Sequence, residues 1–286
     1  MKKLSYKQRS INCGRNILDL STPAVMGILN VTPDSFYDGG TNMATQSAIE
    51  HARQMFAQGA KIVDIGPQSS RPGAKFLSAD EEIERLTDLV PALVKQFPGE
   101  LFSIDTFHSK TAAWSVERGI SIINDISGGR MDTAMFDVAA RLDVPIVLMH
   151  MQGTPTTMQE NPHYSDVVHE VLLAIRQMVH RAKEHGVDQI IVDPGFGFGK
   201  NVEQNFELLN GLEELHELDV PLLCGVSRKS MINRVLGTKP DQALNGTTVL
   251  NTMCLERGAS IIRVHDVKEA MEAVKIVSFA RTVQGL

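Results

Sequence analysis

The chain has 286 residues, of which 43% are apolar and 5% aromatic, and its formal net charge is −6. That length suits one eightfold barrel of about 250 residues. The acidic balance excludes a general nucleic-acid binder, which needs a basic surface, so any anion site must be a local cluster of positive charge.

At the amino terminus no apolar signal core follows Met1, Lys2 and Lys3, and no run approaches the roughly 20 residues that span a bilayer. Cys13, Cys224 and Cys254 form no CxxC pair. A disulfide framework is therefore not expected, and a soluble protein of the reducing cytoplasm is. Residues 4–20 alternate polar and apolar around Asn12-Cys13-Gly14-Arg15, which predicts a hairpin over the amino-terminal mouth of such a barrel.

Short runs of Val, Ile and Leu then predict strands at 24–30, 60–66, 101–105, 120–125, 145–150, 189–193, 221–226 and 260–264. Most are followed by helical spacing, clearest at 44–58 and 165–185. In the latter, Val168, Val171, Leu172, Ile175, Met178, Val179 and Ala182 make one apolar stripe, the signature of a helix packed on one face. Gly59, Gly119, Gly186 and Gly258 follow helical segments, where glycine ends a helix without steric penalty. Strand-then-helix repeated eight times predicts an α/β fold, a single (β/α)8 TIM barrel over residues 21–286, preceded by the hairpin segment 1–20. All eight strand ends would then converge on the face where such barrels carry their chemistry. Loops 31–43, 67–78 and 151–164 leave that face and are long enough to act as substrate lids.

Polar residues close these apolar runs. Asn30, with Asp34 and Asp38, offers oxygen ligands to a hard cation, or forms turns around Pro33. Ser70 and Arg71 lie in a Pro/Gly-rich segment that suits anion recognition or a solvated turn. Asp105 and Asp193 end buried runs, where a carboxylate needs strong donors. A flat, nitrogen-rich heterocycle would supply them, with Asn124 adding an amide contact. The alternatives are a helix cap near Ser109 for Asp105 and a turn for Asp193-Pro194. Gly195-Phe-Gly-Phe-Gly-Lys200 lacks P-loop spacing; its glycines would let backbone approach a ligand, with Phe196 or Phe198 as an apolar wall. Ser227, Arg228 and Lys229 follow the seventh strand, and Arg263 and His265 end the eighth, where barrels commonly bind phosphate. Alternation puts Arg263 and His265 on one side.

Taken in order, GILNVTPDSF, SRPGA, SID, INDI, LMHMQGTPTTMQ, DPGFGFGKN, SRKS and RVHD resemble the dihydropteroate synthase family from Val25 to the last helix. The resemblance implies a transferase of folate synthesis. It would condense dihydropterin-methyl diphosphate with para-aminobenzoate by a dissociative mechanism, as a cytoplasmic homodimer and a sulfonamide target. It implies Mg2+ held by Asn30, and a pterin pocket of Asp105, Asn124, Met149, Asp193 and Lys229. Asn30, Arg71, Arg263 and His265 would take the diphosphate. Ser70, Arg71, Phe198 and Ser227 would take the aminobenzoate. The catalytic set would be Asn30, Asp105, Lys229, Arg263 and His265. Small molecules are the implied partners, with no nucleic acid and no membrane.

The second loop departs from the family's usual Gly-Gly-Glu-Ser-Thr-Arg, reading Gly66-Pro67-Gln68-Ser69-Ser70-Arg71. Pro67 restricts φ, Gln68 removes a carboxylate and Ser70 loses a methyl group. Tyr37 replaces a common serine in the first loop. Three other functions are compatible with parts of this pattern. These are a methyltransferase sharing the pterin acids, a barrel aldolase with Lys229 as Schiff base, and a pterin-binding module without turnover.

Overall fold

The computed structural model describes residues 10–14, 16–31, 41–68, 76–154, 158 and 162–283. Strands β1 (Ser10–Cys13) and β2 (Asn16–Asp19) form the expected antiparallel hairpin, with Cys13 opposite Asn16. Gly14, just after β1, takes φ +70°, as tight hairpin turns require. Then come β3 (Ala24–Asn30), α1 (Thr41–Ala57), β4 (Ile62–Gly66), α2 (Ala79–Leu86), α3 (Leu89–Gln96) and β5 (Leu101–Asp105). These lead to α4 (Ser109–Val116), β6 (Ile122–Asp125), α5 (Met135–Leu142), β7 (Ile146–Met149), α6 (Val167–Glu184), β8 (Ile190–Asp193) and α7 (Val202–Asn210). The chain continues through β9 (Leu223–Cys224), α8 (Ser230–Leu236), α9 (Leu244–Glu256), β10 (Ile261–Val264) and α10 (Val267–Val283).

The eight strands β3 to β10 form one parallel sheet in the order β8-β7-β6-β5-β4-β3-β10-β9. A bridge between Val192 and Leu222 brings its two edges together, so the sheet is a nearly closed barrel with helices between its strands. β9 is shorter than the run 221–226 suggests. Pro221 has no N–H to give to the ladder, yet its carbonyl accepts from Val192 N at 3.0 Å.

The period of two along each strand sorts the side chains. Outward residues such as Val63, Phe102, Ile123, Ile146, Leu148 and Ile262 form the main core against the helices. On α6 the stripe is buried as expected, except that Val167 is buried and Val168 only partly so. Asp166 caps this helix by accepting from His169 N, which satisfies an otherwise unpaired donor.

Inward residues Met26, Ile62, Leu101, Ile122, Val147, Ile191, Leu223 and Ile261 form a separate apolar layer near the strand beginnings, together with Ile11, Cys13, Leu18 and Leu20. The hairpin thus seals the amino-terminal end of the barrel, and each buried Leu there contributes about 2 kcal/mol of apolar burial. Two residues further along, five of these eight strands carry a polar inward residue: Asp64, Ser103, Asn124, Asp193 and Arg263. Cys13, Cys224 and Cys254 are buried free thiols, and burial pushes Cys13 up to about 12. Among the described residues, no helix is long and apolar enough to cross a membrane.

Candidate active site

Register brings the polar strand ends together. Asn30 lies opposite Gly66, Asp64 opposite Ser103, Asp105 opposite Asn124 and Met149 opposite Asp193. A Cβ placed on Gly66 would stand 3.2 Å from Asn30 Oδ1 and 4.0 Å from Asp105 Oδ2, so both side chains flank that bare backbone. Asn30 is exposed, while Asn124 and Asp193 are buried.

One guanidinium organises this layer. Arg263 donates from Nε to Asp64 Oδ2 at 2.6 Å and from Nη2 to Asp105 Oδ2 at 2.9 Å. Asp64 is fully buried, at 0% exposure, and also accepts from Asn124 Nδ2 at 2.9 Å and Ser103 Oγ at 2.5 Å. Every donor a buried carboxylate requires is therefore in place. Burial pushes Asp105 up to about 7, against the pull of Arg263 and with the push of Asp64. Burial opposes the charge on Arg263, yet Asp64 and Asp105 outweigh it and raise its pKa. Asp105 does not cap the next helix: Asp132 accepts from Ser109 N there, at 2.7 Å.

Across the barrel, Asp193 accepts from Gly195 N at 2.7 Å. It makes its turn and still faces the layer's cations. Burial raises its pKa, and Lys229 and Arg263 oppose that rise. Lys229 is lowered to about 8 by burial, offset by Asp193. Its ammonium donates to Phe196 O and stands 4.5 Å from the centroid of the Phe198 ring. Met149 is buried in a small apolar cluster with Phe107, Ile126, Met151 and Met158, against which Phe198 packs. A cationic corner and an apolar wall therefore share one border.

The third group is Ser227 with His265. Ser227 Oγ accepts from His265 N at 3.2 Å and lies 2.9 Å from His265 Nδ1. This hydroxyl thus ties the backbone and the ring of His265 to the segment after β9. Arg228 is turned away by a two-pronged pair with Asp266, at 2.6 and 3.0 Å.

The structure therefore gathers Asn30, Asp105, Asn124, Met149, Asp193, Phe198, Ser227, Lys229, Arg263 and His265 at the carboxyl ends of the strands. Asp34, Tyr37, Asp38, Ser70 and Arg71 lie outside the described residues. Among the described residues, no group of three or more His, Cys, Asp or Glu side chains could hold a metal ion.

Two features escape sequence reading. Asp64 sits inside its run rather than at its end, so attention to closing residues passes over it. Its signal is a carboxylate two positions before Gly66, on the inward face. Gln68 is the other. Its Nε2 donates to buried Glu82 Oε1 at 2.8 Å, and its Oε1 accepts from Leu77 N at 3.2 Å. Arg85 donates to Pro67 O at 2.9 Å, and Thr106 Oγ1 donates to Glu82 Oε2 at 2.6 Å. The missing carboxylate at position 68 is thus an amide that satisfies a buried acid, where a second carboxylate would repel it.

Residues 26–265 match the family described as pterin binding enzyme. The dihydropteroate synthase of Escherichia coli K12 is 45% identical over 262 residues, covering 91% of this chain and 92% of that one. A Yersinia pestis dihydropteroate synthase solved with a sulfonamide drug superposes with a TM-score of 0.89 at 41% identity, covering 96% of this chain and 99% of that one. The Xanthomonas albilineans enzyme solved with 4-aminobenzoic acid gives 0.89 at 38% identity, with 98% and 100% coverage. By its sequence, its barrel and the polar layer at the strand ends, the chain belongs to the pterin-binding enzyme family as a dihydropteroate synthase-type transferase.

Proposed function

We propose that this chain condenses 7,8-dihydropterin-6-ylmethyl diphosphate with para-aminobenzoate, giving 7,8-dihydropteroate and diphosphate in folate biosynthesis. The observation that carries this reading is the Arg263 fork, which joins Asp105, an acid suited to a pterin ring, to the cation suited to its diphosphate. Asp105 and Asp193 accept from ring N–H and amino groups. Asn124 donates one amide hydrogen to Asp64, which leaves its second hydrogen and its oxygen for the ring. Lys229 reaches the ring from the opposite side, and Met149 packs beside it.

The carbon–oxygen bond between the pterin methylene and diphosphate breaks, and its electron pair leaves with the diphosphate. Arg263 meets that growing negative charge with the arm that engages neither carboxylate, and His265 with its ring, both preorganised before reaction. Asn30 and Arg71 complete the anion corner. The positive charge left on the pterin is stabilised by Asp105 and Asp193. The aromatic amine then attacks the methylene and loses a proton, so no side-chain nucleophile is needed. Ser70, Arg71, Phe198 and Ser227 hold the aminobenzoate.

The family's chemistry implies Mg2+, and Asn30 fits it. Mg2+ prefers hard oxygens and takes few protein ligands when a phosphate is present, and Asn30 offers one neutral oxygen at an exposed strand end. When bound, the ion would neutralise charge on the departing diphosphate.

Residues 21–286 make the catalytic barrel in this reading, with 1–20 as its hairpin plug, working in the cytoplasm as a homodimer. The dimer is supported by Ile276, Phe279 and Val283 on α10, at 70–72% exposed, and Val249 on α9 at 50%. Beside them runs a cavity of about 560 Å³, lined by Leu244, Thr248, Thr252, Ala273, Ile276 and Val277. Large exposed apolar faces of this kind mark interfaces.

The reading predicts dihydropteroate formation that requires Mg2+, releases one diphosphate per product and is inhibited by a sulfonamide. Tight binding of the pterin diphosphate with no condensation would refute it. Ring recognition needs Asp105 as a carboxylate, whose raised pKa is about 7. Pterin diphosphate affinity, measured by calorimetry, should therefore be full above about pH 7. Below that it should weaken, approaching tenfold per unit, and Asp105→Asn should abolish this dependence. An affinity that stays flat through that range would remove Asp105 from ring recognition. Phe279→Asp should convert a dimer to monomer in analytical ultracentrifugation, and a wild type that sediments as a monomer would contradict the dimer.

A further inference from the structure

The glycine-rich segment 195–199 is tied to the rest of the protein through several of its backbone groups. Asn205, at 2% exposure, accepts from Gly197 N at 2.7 Å and donates to Lys200 O at 3.2 Å. Tyr164 Oη donates to Gly199 O at 2.8 Å, and Lys229 donates to Phe196 O. Gly195 takes φ +70°, and a Cβ there would fall 1.8 Å from His150 O. The segment therefore lies directly on the end of β7.

Lys200 closes this set from beneath. It is 3% exposed. Its Nζ lies 3.0 Å from Gly195 O, 3.1 Å from Phe198 O and 3.1 Å from His150 Nδ1. Three partners surround one nitrogen, and an ammonium with three hydrogens serves them all when His150 Nδ1 accepts; burial lowers the Lys200 pKa to about 7, against the pull of Asp193. His150 can be the third acceptor only as a neutral ring with its proton on Nε2. Burial and the nearby Lys200 charge hold it in that form, lowering its pKa to about 2. This lysine thus lies beneath the loop and not in the anion corner.

Resting on the proposed condensation, we infer that Lys200 is a positioning residue: its Nζ, shared by His150 and two loop carbonyls, fixes the segment that presents Phe198 and anchors Lys229. It touches no substrate. It acts through the backbone of Gly195 to Phe198, and it lets Lys229 leave Phe196 O for the pterin without releasing the loop. The charged groups facing Lys200 are Asp193, Lys229 and Arg130, and those facing Asp193 are Lys229, Arg263 and Lys200.

The test compares wild type with Lys200→Met, which keeps an unbranched apolar stem, and with His150→Gln, which keeps a polar side chain beside Lys200. Amide hydrogen exchange over residues 195–199, measured without substrate, reads the loop directly. Lys200→Met should speed it by roughly a hundredfold in a folded protein, and His150→Gln by less. In steady-state assays, Lys200→Met should raise KM for aminobenzoate roughly tenfold, as expected for lost positioning. The strand-borne acids should hold the KM for pterin diphosphate within about threefold. Unchanged exchange over 195–199, or a lower melting temperature with both KM values intact, would overturn the inference. A wild type that protects this loop but never condenses its substrates would refute the proposed function alone. Should Lys200→Met fail to fold, His150→Gln decides by the same two readouts: faster loop exchange with a raised aminobenzoate KM supports the inference, and no change in either defeats it.

Discussion

A guanidinium shared by two carboxylates inside a barrel is the constraint around which this protein is arranged. Asp64 has no exposure at all, and a bare carboxylate there would cost several kcal/mol. Arg263, Asn124 and Ser103 meet it from three different strands, so barrel closure and charge satisfaction depend on each other. β10 must lie beside β3 and near β4 and β5 for one side chain to reach both acids. Removing one partner from this set would leave a buried charge uncompensated, commonly a loss of about 3–5 kcal/mol. In the proposed function the same contacts hold Asp105 and Arg263 ready for a ring and an anion that are covalently joined, so recognition of one end would orient the other.

The inner face of the barrel is layered, and this layering separates stability from function. Met26, Ile62, Leu101, Ile122, Val147, Ile191 and Ile261 fill the bottom with the hairpin packed beneath them. One step along, at the period of two, the same strands carry Asp64, Ser103, Asn124, Met149, Asp193 and Arg263. A slip of one residue in any strand would send its polar group into the helix-facing core. The apolar layer fixes register, and register assembles the site.

Much of this is legible in the sequence, because apolar runs of strand length closed by polar residues define both the barrel and its working face. Seven of the eight strands lie within a residue or two of where their runs place them. β9 is the exception, since Pro221 withholds a ladder donor and the pattern of apolar residues does not register that. Pairing across the barrel is not legible. Nothing in the spacing of Ser227 and His265 announces that one hydroxyl both accepts from the backbone of the other and meets its ring. Asp64 escapes notice because it lies within its run. Lys200 stands in the sequence at the end of a ligand-facing glycine segment, whereas it is buried beneath that segment. Gln68 is informative in another way. A lost carboxylate by the family's pattern, it supplies the donor that buried Glu82 requires and ties the exit of β4 to the entrance of α2.

The central claim is that Asp105 and Arg263 act as one unit on a pterin diphosphate. A double-mutant cycle of Asp105→Asn and Arg263→Ala, with pterin diphosphate affinity read by calorimetry, tests it most directly. The account predicts strong non-additivity, with a coupling energy above about 1 kcal/mol, as for residues in one ion network. Losses that add to within about 0.5 kcal/mol, as they do for independent sites, would contradict it.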